Sequence, residues 1–137
     1  MNKHLQTVLN SIQQSKDLSA DDKNTISIAL QNVDDELNHK TRDLEIEASL
    51  ERVRTVALGM RKPDDLLSIC KILYSELIFL GFIELRNTMI NIHNDDAASF
   101  LNYDYSDAAG ATVTTILYNS HPATENLVKQ IKKPPDV

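Results

Sequence analysis

Glycine is scarce in this chain, with 3 in 137 residues, and tryptophan is absent. So few glycines fit a helix-rich chain and argue against a Gly-rich loop that could cradle a phosphate. The single cysteine, Cys70, excludes a disulfide framework and a thiolate metal cluster. No stretch approaches the roughly 20 apolar residues of a membrane span. The N-terminal MNKHLQTVLNSIQQ lacks the apolar run of a signal peptide. Basic charge is in deficit: 14 Lys and Arg against 20 Asp and Glu give a net charge of −6, which disfavours nucleic acid or an anionic membrane as partner. These absences together imply a reducing, cytoplasmic setting. What is present is an ordinary globular composition, long enough for one domain or for a small domain with an appendage.

The chain is read around Leu44 to Met60, LEIEASLERVRTVALGM, the last part of a helix expected from about Ala20 to Arg61. At roughly 1.5 Å per residue that helix is about 60 Å long, twice the width of a small domain. It must project from the domain it carries or find a partner. Before it, Leu5, Val8, Leu9 and Ile12 predict a short helix from Asn2 to Lys16, and Ser19 is placed to cap the long one, with Asp21 and Asp22 in its first turn. Along the long helix Ile26, Leu30, Val33, Leu37 and Leu44 form a heptad-like seam. From Ile46 the seam moves to Leu50, Val53, Ala57 and Met60. An amphipathic helix packed on its own chain would show such a seam. The preferred reading is an intermolecular coiled coil that hands over to a domain near Leu50. Glu36 with Lys40, and Glu51 with Arg54, are spaced as surface ion pairs.

Pro63 stops the helix and suits the first position of a third one, whose core face would be Leu66, Ile69, Cys70, Leu73, Leu77 and Leu80, with Gly81 just past its C-cap. The period then changes from 3.6 to 2. Strands are predicted at Ile83–His93, Ser99–Tyr105 and Thr112–Asn119, joined as antiparallel neighbours by turn formers at Asn94 to Asp96 and Ser106 to Gly110. Ser120 would cap a last helix, His121 to Lys132, packed by Leu127, Val128 and Ile131 and ended by Pro134-Pro135. The fold class is α+β: a long helix, then a sheet of about three strands packed with helices.

The run IEASLERVRTVALGMRKPDDLLSICKILYSELIFLGF resembles a segment of bacterial two-component sensor proteins of the histidine kinase type. There a signalling helix of the form IEAxLERVRxxAxxM leads into a GAF-like sensor domain. The matching positions are Ile46 to Met60, Pro63 to Leu67, Glu76-Leu77 and Leu80-Gly81; the strands past Gly81 and His121-Pro122 also fit. Three parts are expected: residues 1–18 as a short helix and 19–61 as a coiled-coil helix, both from spacing, and 62–137 as a partial GAF-like domain, which the resemblance implies. It implies a sheet of five or six strands where only three are read, as in a truncated sensor or a domain completed by another chain.

Chemistry is sought and not found. His39 lacks the acidic neighbour and proline of a phosphoacceptor setting and reads as a solvent-facing helix residue. Asp95, Asp96, Asp104 and Asp107 lack the spacing of a calcium loop and read as turn carboxylates. Cys70 on an apolar face reads as a small core residue rather than a reactive thiol. His121 at a helix start reads as a cap-region residue rather than an anion ligand. Tyr74, Tyr103, Tyr105 and Tyr118 read as packing rather than a pocket lining. Arg52, Arg54, Arg61 and Lys62 form the one basic cluster and read as a solvated helix face. No catalytic residue, cofactor or metal ligand is therefore expected. The expected function is a non-catalytic signalling fragment that dimerises through the long helix, with no nucleic acid or membrane contact. The alternative is a domain binding a small molecule between sheet and helices.

Overall fold

The computed structural model describes residues 1–133, so Pro134-Pro135, expected to end the last helix, lie outside the described residues. The elements run α1 (Lys3–Gln14), α2 (Ala20–Leu58), a 3-10 turn (Pro63–Asp65), α3 (Leu66–Phe79), β1 (Thr88–Asn94), β2 (Ser99–Ser106), β3 (Gly110–Leu117) and α4 (Pro122–Lys132). This is the expected α+β order. Two compact units divide it, Met1–Ala48 and the chain from Ser49 onward, and α2 contributes residues to both.

In the first unit α1 runs back along the start of α2. The Asn2 amide donates to Asp34 Oδ1 at 2.6 Å, and Lys23 Nζ donates to the Gln13 carbonyl at 3.2 Å, so the two helices are antiparallel. Asn2 caps α1 by accepting from the His4 amide. Ser19 caps α2: its Oγ accepts from the Asp22 amide at 3.1 Å and donates to the Asp22 carboxylate at 2.7 Å. Leu5, Leu9 and Ile12 of α1 are half-buried, as are Ile26 and Leu30 of α2. The expected seam is thus split. Its first two residues are partly covered by the chain's own α1, while Val33, Leu37 and Leu44 stay 45%, 45% and 71% exposed.

In the second unit α2 stops at Leu58, three residues before the expected end. The Gly59 amide closes the last turn on the Thr55 and Val56 carbonyls. Asp65 then gathers the backbone: its Oδ2 accepts from the Arg61 amide at 2.8 Å and the Lys62 amide at 3.1 Å. Those two donors hold the Asp65 carboxyl below its ordinary range. Pro63 opens a 3-10 turn rather than α-helix, and α3 follows from Leu66. Helix α3 ends in a Schellman motif. The Phe82 amide reaches the Leu77 carbonyl and the Gly81 amide the Ile78 carbonyl, with Gly81 at φ 103°.

The first strand begins at Thr88, not Ile83. Residues 82–85 form a turn closed by the Leu85 amide on the Phe82 carbonyl, which consumes the stretch that alternates in sequence. The three strands form an antiparallel sheet of order β1-β2-β3. Thr88 pairs with Tyr105, and Ser99 with Leu117. Ala98 (φ 45°) and Gly110 (φ 71°) take the left-handed conformation at the two hairpin turns.

Helix α3 lies on one face of this sheet. Thr88 Oγ1 donates to the Cys70 carbonyl at 2.6 Å, Cys70 Sγ to the Tyr103 carbonyl at 3.4 Å, and the Tyr74 and Tyr105 rings meet edge to face. The core of the interface is Cys70, Tyr74 and Tyr103. The leucines expected to dominate, Leu66, Leu73, Leu77 and Leu80, are only half-buried, as is Ile69. Cys70, already on the expected face, is fully buried, and Tyr74 joins it in place of the leucines. On the opposite face Phe100 is buried beside His93 and Tyr118, and α4 is held there by Lys132. The cap of α4 is His121 rather than Ser120: its Nδ1 accepts from the Ala123 amide at 3.1 Å.

Candidate functional site

The junction of α2 with α3 in the second unit is built from three polar residues. Ser49 and Arg52 lie three apart on α2, hence on one helix face. Arg52 Nε and Nη2 each donate to the Glu76 carboxylate at 2.7 Å, and Nη2 also donates to Ser49 Oγ at 3.1 Å. Ser49 and Glu76 are buried, at 3% and 9% exposure. The bidentate guanidinium lowers the Glu76 carboxyl pKa from its ordinary value, and the Ser49 hydroxyl assists. The Arg52 guanidinium also lies 5.5 Å above the Phe79 ring. The face of α2 that packs here is Ser49, Val53 and Val56. Leu50 and Met60, placed on the expected seam, are 49% and 41% exposed.

A second cluster ties α4 to the sheet. Tyr118 Oη donates to Asp95 Oδ1 at 2.7 Å and lies 3.1 Å from His93 Nδ1, which therefore carries the proton in this network. Lys132 Nζ reaches Asp95 Oδ1 at 2.8 Å and sits 5.0 Å from the Tyr118 ring centroid. Lys132 first and Tyr118 second hold the Asp95 carboxyl low. Burial, and then Asp95, push the Tyr118 phenol up. Lys132 and Asp95 form an ion pair and Tyr118 bridges Asp95 to His93, an arrangement that suits fastening α4 to the sheet.

The residues singled out from the sequence scatter over this framework. His39 is exposed on α2. Cys70 is fully buried, and burial pushes its thiol up, away from the reactive thiolate. The four aspartates separate. Asp95 and Asp96 belong to the β1–β2 turn, Asp104 accepts from the Asn87 amide group, and Asp107 accepts from Tyr105 Oη. Among the described residues no group of three His, Cys, Asp or Glu could hold a metal ion. Three tyrosines, Tyr74, Tyr103 and Tyr105, lie on the α3 face, and Tyr118 on the other, so they line no common pocket.

The basic cluster corrects the expectation in one member. Arg52 keeps an exposed side chain, 46% accessible, but is also the partner of Glu76. Arg54 pairs with Glu51 as the spacing predicts, and Arg61 donates to the Leu58 and Met60 carbonyls. Sequence reasoning missed the pairing of Glu76 and the buried roles of Asp34 and Ser49. Glu76 carries a signal, a charge set among Leu73, Tyr74 and Leu77. Asp34 and Ser49 carry none, because their partners are 32 residues away or on the same helix face.

Where α3 leaves its sheet face uncovered, Ile92, Leu101 and Thr115 floor an open concavity of about 590 Å³ with Asp95 and Asp96 at its rim. Among the described residues no helix is long and apolar enough to cross a membrane. Comparison with protein-family models, with curated proteins and with solved structures finds no match.

Proposed function

We propose that this chain is a non-catalytic signalling module, which dimerises through α2 and passes a conformational change along that helix to the sheet domain. The observation that carries the reading is the stripe Val33, Leu37, Leu44, left open on a helix of 39 residues. An apolar stripe at heptad spacing on a long helix is what a partner helix covers. The Ser49–Arg52–Glu76 junction supports the relay, because it fastens the end of that helix to α3 through charge-assisted bonds that demand one geometry. A helix bundle can shift between two packings, and a domain fastened to its end biases which is populated. The resemblance of residues 46–82 to the signalling helix and GAF-like domain of bacterial two-component sensors points the same way.

The rival reading, a small-molecule binding domain, draws on the open concavity beside Ile92 and Leu101. The α3–sheet interface favours the relay, since Cys70, Tyr74 and Tyr103 fill it. Light scattering of the unmodified chain tests the proposal. A mass of at least a dimer at about ten micromolar and above is the expected result, as an apolar helix seam requires; a monomer mass throughout contradicts it.

A further inference from the structure

The free edge of β3 carries its own pattern. The Tyr118 amide donates to the Ala98 carbonyl at 2.9 Å, so this pair is hydrogen-bonded. Pairs along an antiparallel ladder alternate, so Ile116, Thr114, Thr112 and Gly110 also turn their backbone groups toward β2. The amides and carbonyls of Ala111, Val113, Thr115 and Leu117 therefore point outward, with no strand beside them among the described residues. Native edges are guarded by charge, proline, bulges or covering segments. Here no Asp, Glu, Lys or Arg occurs from Ala108 to Thr124, and β3 contains no proline. The strand is almost wholly exposed, whereas side chains of the other edge, β1, are mostly half-buried. Strand β1 is also bounded by Arg86 on one side and Asp95-Asp96 on the other.

The outward set Ala111, Val113, Thr115, Leu117 is symmetric about Thr114. We propose that β3 pairs antiparallel with β3 of a second copy, on a twofold axis through Thr114. In that register Ala111 faces Leu117, and Val113 faces Thr115, as hydrogen-bonded pairs, giving about eight new backbone bonds. On the opposite face Thr112 meets Ile116, and Thr114 meets its own counterpart. Large side chains lie against small ones, and no like charges meet in a chain that otherwise carries net −6. An isologous contact of this kind closes on itself and leaves no repeating edge. The α3 side of the sheet then becomes continuous across the axis, joining the exposed Val113 and Leu117 of both copies. The interface belongs to the second unit and does not depend on the α2 stripe.

The register makes a sharp test. Thr114 is exposed and, in the pair, lies at a non-hydrogen-bonded position where the Cα atoms are about 4.5 Å apart, within disulfide reach. Thr112 would lie about 13 Å from its counterpart. Thr114→Cys in the full chain should form an intermolecular disulfide under mild oxidation at least about ten-fold faster than Thr112→Cys, since geometry limits bridging. The native Cys70 is buried and serves as the unreactive background. The same preference should persist when Leu37 and Leu44 are replaced by Lys, so failure of the α2 reading is told apart from failure of this one. Independently, Thr114→Lys and Thr114→Glu should each lose cross-linking between copies carrying Val113→Cys and Thr115→Cys, and mixing the Lys and Glu forms should restore it. Equal rates for Thr114→Cys and Thr112→Cys, or no recovery on mixing, overturn the proposal.

Discussion

Replacing Leu37 and Leu44 by Lys is the direct perturbation of the proposed helix pairing. In the single chain these side chains are 45% and 71% exposed, so together they leave slightly more than one leucine side chain for a partner to bury. Burying a leucine is worth about 2 kcal/mol, so the double change removes about 4–5 kcal/mol from a dimer in which both protomers contribute. At about 1.4 kcal/mol per decade that is roughly a thousand-fold weaker Kd, before any repulsion between facing lysines. The fold of the protomer should be spared. Lysine matches leucine in helix propensity, and neither position is covered by α1. Sedimentation equilibrium across a wide concentration range, with Thr114→Lys added to both chains so that strand pairing does not contribute, gives the Kd, and far-ultraviolet circular dichroism checks that helicity is unchanged. A double variant that dimerises within about ten-fold of the unmodified chain would refute the reasoning, because the stripe would then carry almost none of the association energy.

Phe100→Ala should cost about 3–5 kcal/mol in chemical denaturation, since the ring is 4% exposed and lies tilted against His93 and Tyr118. A loss under 1 kcal/mol, of order a surface change, would place Phe100 outside the core. Glu76 has a depressed folded-state pKa, so its contribution is fully present above about pH 4.5 and is lost as pH falls through its folded value. Wild type should therefore exceed Glu76→Gln in Tm at neutral pH, with the difference shrinking in acid; a constant difference down to about pH 3 speaks against the ion pair. Ala98 holds a left-handed backbone at φ 45°, which costs a residue with a Cβ about 1 kcal/mol. Ala98→Gly should leave stability unchanged or raise it by a few tenths of a kcal/mol, and a clear loss would show that the turn is not strained.

The order of elements was legible in the sequence because it depends on local physics. Apolar spacing of three and four marked α1, α2 and α3, Ser19 marked the start of α2, and Gly81 marked the end of α3. Alternation and turn residues marked three antiparallel strands. The boundaries moved where a local bond outcompeted the pattern. The turn after Gly81 and the residues that follow it took up the five positions 83–87 that alternate like a strand, and His121 outbid Ser120 for the cap of α4. Which face each helix buries was decided only by tertiary contact. Helix α3 approaches the sheet through Cys70 and Tyr74 rather than its leucines, because a small residue and a ring that reaches the Leu85 carbonyl let it sit close. Asp34 and Arg52 drew their partners from 32 and 24 residues away, a pairing that no local spacing encodes. The open stripe on α2 and the open edge of β3 also belong to the tertiary structure. Apolar spacing alone shows that a surface can be buried, and only the packed chain shows which part of it is still uncovered.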